Sequence, residues 1–312
     1  MVISTISRIL DCLKAAFPKA LKTAWWMLRI MLPVSLGVML MQYFGLLVCI
    51  SKYLTPVFHY IGLPGESALV FITSALLSIY AAIAVIGTLA LDMREITILA
   101  IMCLISHNMI FETAVQKKTG SSALRMVLLR LIMSFVAAAI FNLLLPTKMG
   151  SGLASHNNIQ NSGIINLLEI WFHDFVWLSI KVVLIVTSLM FVQKILDEFG
   201  IMEVLSKVFR PLMKPMGLSN RTSFQWIIAN TVGLAYGSAI MIEQVDSGNL
   251  PFEDADLLNH HIAISHSLLE DTLLFVSIGV SAPWIIFPRI VLAIFSVWEY
   301  KFEKRIKRKC AD

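Results

Sequence analysis

Eight stretches of this chain are too long and too apolar to share one water-soluble core: 25–50, 63–91, 96–113, 124–145, 171–196, 224–242, 257–280 and 284–297. Most can supply the roughly 20 residues that a helix needs to cross about 30 Å of hydrocarbon. Lipid offers no partner to an unpaired backbone amide, so a chain of such stretches is confined to helices that pair their own N–H and C=O groups. Charge is correspondingly scarce. Only 14% of the 312 residues are Asp, Glu, Lys or Arg, and mean hydropathy is +0.80. That excludes a soluble enzyme, a nucleic-acid binder and a disulfide scaffold as leading readings. The formal net charge of +5 reports topology and attraction to anionic lipid headgroups before it reports a protein partner. Cys12, Cys49, Cys103 and Cys310 show no CxxC spacing, and neither a P-loop nor a GxSxG elbow occurs. No cofactor and no catalytic machinery are expected.

Residues 1–24 lack the continuous apolar core and small-residue cleavage site of a secretory leader. Ile6, Leu10, Leu13 and Phe17 form one helical stripe among Arg8, Lys14, Lys19 and Lys22, which predicts an interfacial amphipathic helix. An ordinary solvated helix leading into the first span is the plainer alternative.

From there the chain repeats itself. Trp25 and Arg29 fall on Trp177 and Lys181 at an offset of 152, and Pro56 and Gly62 on Pro211 and Gly217 at 155. Tyr80 falls on Tyr236 at 156, and the third stretches read ISHNMIFET at 105–113 and ISHSLLEDT at 264–272, an offset of 159 that Arg130 and Arg289 share. Compositional bias aligns leucine with leucine, but not rare polar residues in register, so the sequence implies a duplication.

Whether the halves are parallel or inverted depends on the second stretch of each, 63–91 and 224–242. If both cross, 12 basic residues lie inside and 9 outside; if both turn back as re-entrant hairpins, 18 lie inside and only Lys52, Arg94 and Lys148 outside. The positive-inside rule favours the hairpins. The expected fold is an all-α integral membrane protein of two inverted repeats, each with three spanning helices, a re-entrant helical hairpin and an interfacial amphipathic helix (44–60 and 201–216). The expected units are an amphipathic helix at 1–24, a first repeat at 25–146, a polar external linker at 147–168, a second repeat at 169–300 and a basic cytoplasmic tail at 301–312. Both termini would be cytoplasmic, in a bacterial inner membrane.

An ionisable residue inside a span is expensive and asks for a role or a partner. Arg29 and Lys181, beside tryptophans near the ends of their spans, are read as snorkelling, and His260 and His261 as interfacial. His107 and His266 fall near the centres of the third stretches, with Glu112 and Asp271 five residues later. Five residues on an unbroken helix turn about 500°, leaving histidine and acid roughly 140° apart. Either the helix unwinds between them or the two face different neighbours. Arg130 and Arg289 are placed to pair with Glu112 and Asp271, ion pairs that could serve either gating or plain helix locking. Ser74, Ser78, Asn230 and Tyr236 interrupt the hairpins, where irregular backbone has to be buried or line a cavity. The expected binding site is these four with His107 and His266, and Glu112, Asp271, Arg130, Arg289 and Glu270 are the expected gating or proton-coupling positions. His266, Glu270 and Asp271 also form a donor set for a metal, which the spacing alone leaves open.

The segments LTPVFHYIGLPGES at 54–67, RPLMKPMGLSN at 210–220 and SHNMIFETAVQKKTG at 106–120 resemble the Gate, or nucleoside-recognition, membrane family. That family is similar in part to concentrative nucleoside transporters, to the membrane pore of FeoB-type ferrous-iron transporters and to spore-maturation membrane proteins. The resemblance covers most of the chain, once per half, and implies transport through paired hairpins and broken helices. The expectation is therefore a secondary transporter moving a small polar or nucleoside-like solute by alternating access. A divalent-metal permease is one alternative. Another is a non-transporting scaffold that recruits a partner through the basic tail and the N-terminal helix. The expected partners are the substrate and anionic lipid at the basic termini, with a second copy of the chain also open and no nucleic acid.

Overall fold

The computed structural model describes residues 2–150, 152, 163–231 and 233–309; the side chains of 2–6, 42, 47–51, 234–239 and 308 are outside the description. Among the described residues the chain is helical, with no strand. The first half runs α1 (Val2–Tyr43), α2 (Leu46–Tyr60), α3 (Ser67–Leu76), α4 (Ile79–Ile86), α5 (Met93–Ser106), α6 (Met109–Lys118) and α7 (Ala123–Leu144). The second runs α8 (Ile164–Glu198), α9 (Ile201–Met213), α10 (Ser223–Thr231), α11 (Leu234–Asp246), α12 (Phe252–Ser265), α13 (Glu270–Val276) and α14 (Ala282–Lys309). Element for element, the second series follows the first.

The joints match as well as the helices. After α2, Gly62 takes φ +75° while Leu63 N–H returns to Phe58 C=O at 3.0 Å; after α9, Gly217 takes φ +78° while Leu218 N–H returns to Met213 C=O at 2.8 Å. Both are left-handed helix ends that need a residue without a Cβ. In the two short pairs, α3 lies against α4 and α10 against α11.

Burial sorts the helices by sequence. In α5 every residue from Ile96 to Ser106 is buried, and in α12 every residue from Ala255 to Ser265. A helix apolar on all sides belongs inside other helices, which is where α5 sits. The outer helices carry continuous exposed apolar stripes instead: Leu124, Leu128, Ile132, Val136 and Ile140 on α7, and Phe287, Val291, Phe295 and Trp298 on α14. Facing water, such stripes would drive aggregation; facing acyl chains they match the solvent. Among the described residues, five helical segments are long and apolar enough to cross a membrane: Ser7–Met41, Met93–Lys118, Ala123–Leu144, Ile164–Glu198 and Ala282–Lys307. The chain is a multi-pass helical membrane protein. The expected sixth crossing, α12 with α13, is not among the five, because α12 carries Glu253, Asp254 and Asp256 in its first half and ends at Ser265.

Two expectations are revised. No separate helix occupies 1–24: α1 runs on from Val2 to Tyr43 with Pro18 and Pro33 inside it, and its N-terminal part packs along α8, where Arg8 meets Glu198 at 2.9 Å. The first apolar stretch instead breaks at Gly45, φ +71°, before α2. Of the polar linker expected at 147–168, Ser151 and 153–162 lie outside the described residues, and from Ile164 onward the chain is already α8.

Candidate functional site

The site forms where α5 and α12 stop. α5 ends at Ser106, His107 is extended (φ −64°, ψ 158°), Asn108 turns left-handed at φ 50°, and α6 starts at Met109. In the other half α12 ends at Ser265, His266 is extended (φ −59°, ψ 163°) and Ser267 sits at φ 51°. Among the described residues, Asn108 and Ser267 are the non-glycine positions with positive φ, a conformation L-residues disfavour. The helix therefore unwinds between histidine and acid, one of the two arrangements left open by the five-residue spacing.

A helix break orphans backbone groups at depth, and each has to be answered. The two buried arginines answer the carbonyls. Arg130 Nε donates to Ile105 C=O at 2.7 Å and Arg289 Nε to Ile264 C=O at 3.0 Å. One Nη of each donates to His107 C=O and His266 C=O respectively. The short helix pairs answer the amides beyond the break: Asn108 N–H donates to Ser74 C=O at 3.0 Å, Ser267 N–H to Ala229 C=O at 2.9 Å, and Leu269 N–H to Asn230 C=O at 3.2 Å.

The two breaks bring the two histidines together. His107 and His266 lie with Nε2 atoms 3.2 Å apart and ring centroids 4.8 Å apart. Glu112 Oε1 is 3.0 Å from His266 Nε2 and 3.3 Å from His107 Nε2, while Asp271 Oδ2 is 3.2 Å from His107 Nε2. All four side chains are buried. Behind them, Arg130 holds Glu112 Oε2 at 2.8 Å.

Not every expected contact forms. Glu112 pairs with Arg130 as anticipated, but Asp271 turns to His107 and makes no ion pair with Arg289, whose donors go to backbone carbonyls. The hairpin residues reach the breaks through backbone and not side chain. Ser74 is buried with its hydroxyl unbonded, Ser78 caps α4 by accepting from Ala81 N–H at 3.2 Å, and Asn230 donates to Trp226 C=O at 2.8 Å. Tyr236 falls in α11, its side chain among those not described. Glu270, half-buried at the start of α13, accepts a 2.5 Å hydrogen bond from Tyr80 of α4.

His260 and His261 are both fully buried within the protein. His260 stacks on Tyr300 with centroids 3.8 Å apart and accepts from Arg125 Nε at 2.9 Å. Beside it, Asp256 accepts from Ser121 Oγ at 2.7 Å and Tyr300 O–H at 2.6 Å, while Asn259 donates to Gln116 C=O, Thr119 Oγ1 and Ser121 Oγ. This second polar network ties the turn after α6 to α12 and α14. Sequence reasoning missed it, although Asp256, Asn259, His260 and His261 on one buried segment were a visible signal.

Fold and site together define a multi-pass helical membrane protein with a buried histidine and carboxylate cluster at two broken helices. The comparisons agree with that class. Residues 179–296 match the Gate family, described as nucleoside recognition. Over 284 residues the chain is 28% identical to the uncharacterized membrane protein YvoD of Bacillus subtilis (strain 168), covering 90% of this chain and 91% of that protein. No solved structure matches.

Proposed function

We propose that this chain is a secondary transporter of a bacterial inner membrane, built from two inverted repeats, that moves a small polar solute or ion by alternating access. The observation that carries the reading is the pair of equivalent helix breaks, which face each other and put two histidines and two carboxylates in mutual contact inside the apolar body. Broken helices with ionisable groups at depth are how transporters build sites within hydrocarbon, since irregular backbone there is tolerated only around a protein-lined site. Movement of one half against the other would separate Glu112 and His266, which come from different halves, and so open the cluster. In this reading α3–α4 and α10–α11 are re-entrant hairpins that close the site from opposite sides, with both termini cytoplasmic. The solute would be nucleoside-like if the family name describes the cargo, and an ion if the cluster itself is the seat.

The test is flux in proteoliposomes of the purified protein, with uridine, adenosine, Zn2+, Mn2+ and H+ offered separately. Uptake of one of these, lost in Glu112→Gln and in Asp271→Asn at normal membrane levels, is the expected result. Unchanged flux in both variants would remove the cluster from the mechanism, and no flux of any of the five would favour the scaffold.

A further inference from the structure

From the donor geometry we infer that His107 Nε2, His266 Nε2, Glu112 Oε1 and Asp271 Oδ2 are the ligands of one divalent first-row transition-metal ion, and that this ion is the cargo of the transporter proposed above. The inference deepens that reading and rests on it for the word cargo; the binding site stands on its own geometry.

The argument begins with where the imidazole protons are. His107 Nδ1 lies 3.2 Å from Cys103 C=O and His266 Nδ1 lies 2.7 Å from Ile262 C=O, each a carbonyl one helical turn back. A carbonyl oxygen only accepts, so each Nδ1 carries a proton, and in the neutral form each ring presents a bare lone pair at Nε2. These lone pairs face each other at 3.2 Å and face carboxylate oxygens at 3.0, 3.2 and 3.3 Å. With both rings neutral and both acids ionised, four acceptors converge with no donor among them. Arg130 is behind Glu112, on Oε2, and so supplies nothing to the convergence point. Asp271 Oδ2 is buried and takes no hydrogen bond from the protein.

Such a cluster needs positive charge at its centre. A single added proton can bridge only one of the contacts and leaves the remaining acceptors opposed. One divalent cation answers all of them at once. The spacing fits: bonds of about 2.0–2.1 Å to nitrogen and oxygen imply ligand-to-ligand separations of roughly 3.0 Å for octahedral neighbours and 3.4 Å for a tetrahedron. Four of the six ligand-to-ligand separations, at 3.0–3.3 Å, fall between these values. The donor atoms of His107, His266 and Asp271 all lie within 4.8 Å of one another, and Glu112 Oε1, 3.0 and 3.3 Å from the two histidine nitrogens, is assigned as the fourth ligand. Two imidazoles and two carboxylates suit Zn2+, Fe2+, Mn2+ or Co2+, whereas Mg2+ and Ca2+ take all-oxygen shells. The Nδ1–H to carbonyl bonds are the outer-shell contacts that orient metal-bound histidines. They come from the last turns of α5 and α12, so the breaks both expose the rings and aim them.

The experiment uses the untagged full-length protein in nanodiscs, incubated with Zn2+ and desalted, with bound metal counted by mass spectrometry. Co2+ is a second probe, read by its visible absorption. About one ion per chain is expected. His107→Ala/His266→Ala should lose it, and Asp271→Asn, which keeps the side-chain shape, should weaken binding by about tenfold or more, since even outer-shell changes cost 10–100-fold. Asp197→Asn, an exposed acid paired with Lys194, is the control and should bind as wild type does. Equal metal-free melting temperatures would show that the variants are folded. Wild type without retained metal, or variants that keep it, would overturn the site. Metal bound but not moved in proteoliposomes would uphold the site and refute transport of it; proton or nucleoside flux without metal binding would refute the site and leave the transporter.

Discussion

The two buried arginines make a matched pair with one difference, and that difference can be measured. Arg289 donates to the carbonyls of Ile264 and His266 and to no carboxylate. Arg130 makes the equivalent bonds to Ile105 and His107 and in addition holds Glu112 at 2.8 Å. Replacing Arg289 by methionine, similar in length and uncharged, strips two carbonyls of their donor. At about 0.6–1.7 kcal/mol per interhelical bond in a membrane protein, that costs roughly 1–3 kcal/mol. Arg130→Met loses the same bonds and strands a buried carboxylate, a change that by itself costs about 3–5 kcal/mol. Arg130→Met should therefore be the worse variant by at least about 2 kcal/mol. Adding Glu112→Gln to it removes the stranded charge and should restore stability to the level of Arg289→Met. Thermal unfolding of detergent-purified protein reads all four chains side by side. Equal losses for the two arginines, or no recovery in Arg130→Met/Glu112→Gln, would refute the assignment of Glu112 as a charged partner of Arg130.

Two further outcomes follow from contacts already described. Gly62→Ala and Gly45→Ala both force alanine to positive φ, at +75° and +71°, a cost of about 1–2 kcal/mol. Only at Gly62 does the new Cβ also collide with Asn142, so its melting temperature should fall further; equal falls would mean that the α2 joint yields freely. Tyr80→Phe leaves Glu270 without its 2.5 Å donor, and Glu270→Gln should cost less in that background than in wild type. Additive losses in the double-variant cycle would show that the hydrogen bond contributes nothing.

Much of the architecture was legible because lipid simplifies the reading. Apolar length located the outer helices, and the register of rare polar residues located the histidines and acids that flank both breaks. The spacing from His107 to Glu112 left two geometries open, and what decides between them is a left-handed Asn108. Asparagine tolerates that conformation better than most residues, but what holds Asn108 in it is Ser74 C=O, a partner distant in sequence. The arginines were found, and Arg130 does hold Glu112, but the duty the two share was missed. Charge suggested carboxylates as their partners, while the broken helices needed donors for their last carbonyls, and an orphaned carbonyl leaves no mark in a sequence. The boundary at residue 24 failed for a related reason: basic residues change the solvent a helix prefers without ending the helix.

The length of α1 has a consequence for where the membrane surface lies. Its 42 residues span about 63 Å, roughly twice the hydrocarbon thickness. Along it, exposed Trp25 and Trp26 stand about 27 Å from exposed Tyr43, which is the spacing of aromatic girdles at the two faces of a bilayer. Those rings act as depth marks. The 23 residues from Val2 to Ala24 make up about the first 34 Å of this helix, braced by the end of α8 where Arg8 grips Glu198 and covers Phe199. The two longest helices of the two halves are thus clamped together near the N-terminal end of α1, so a tilt of one half is carried to the other through that contact.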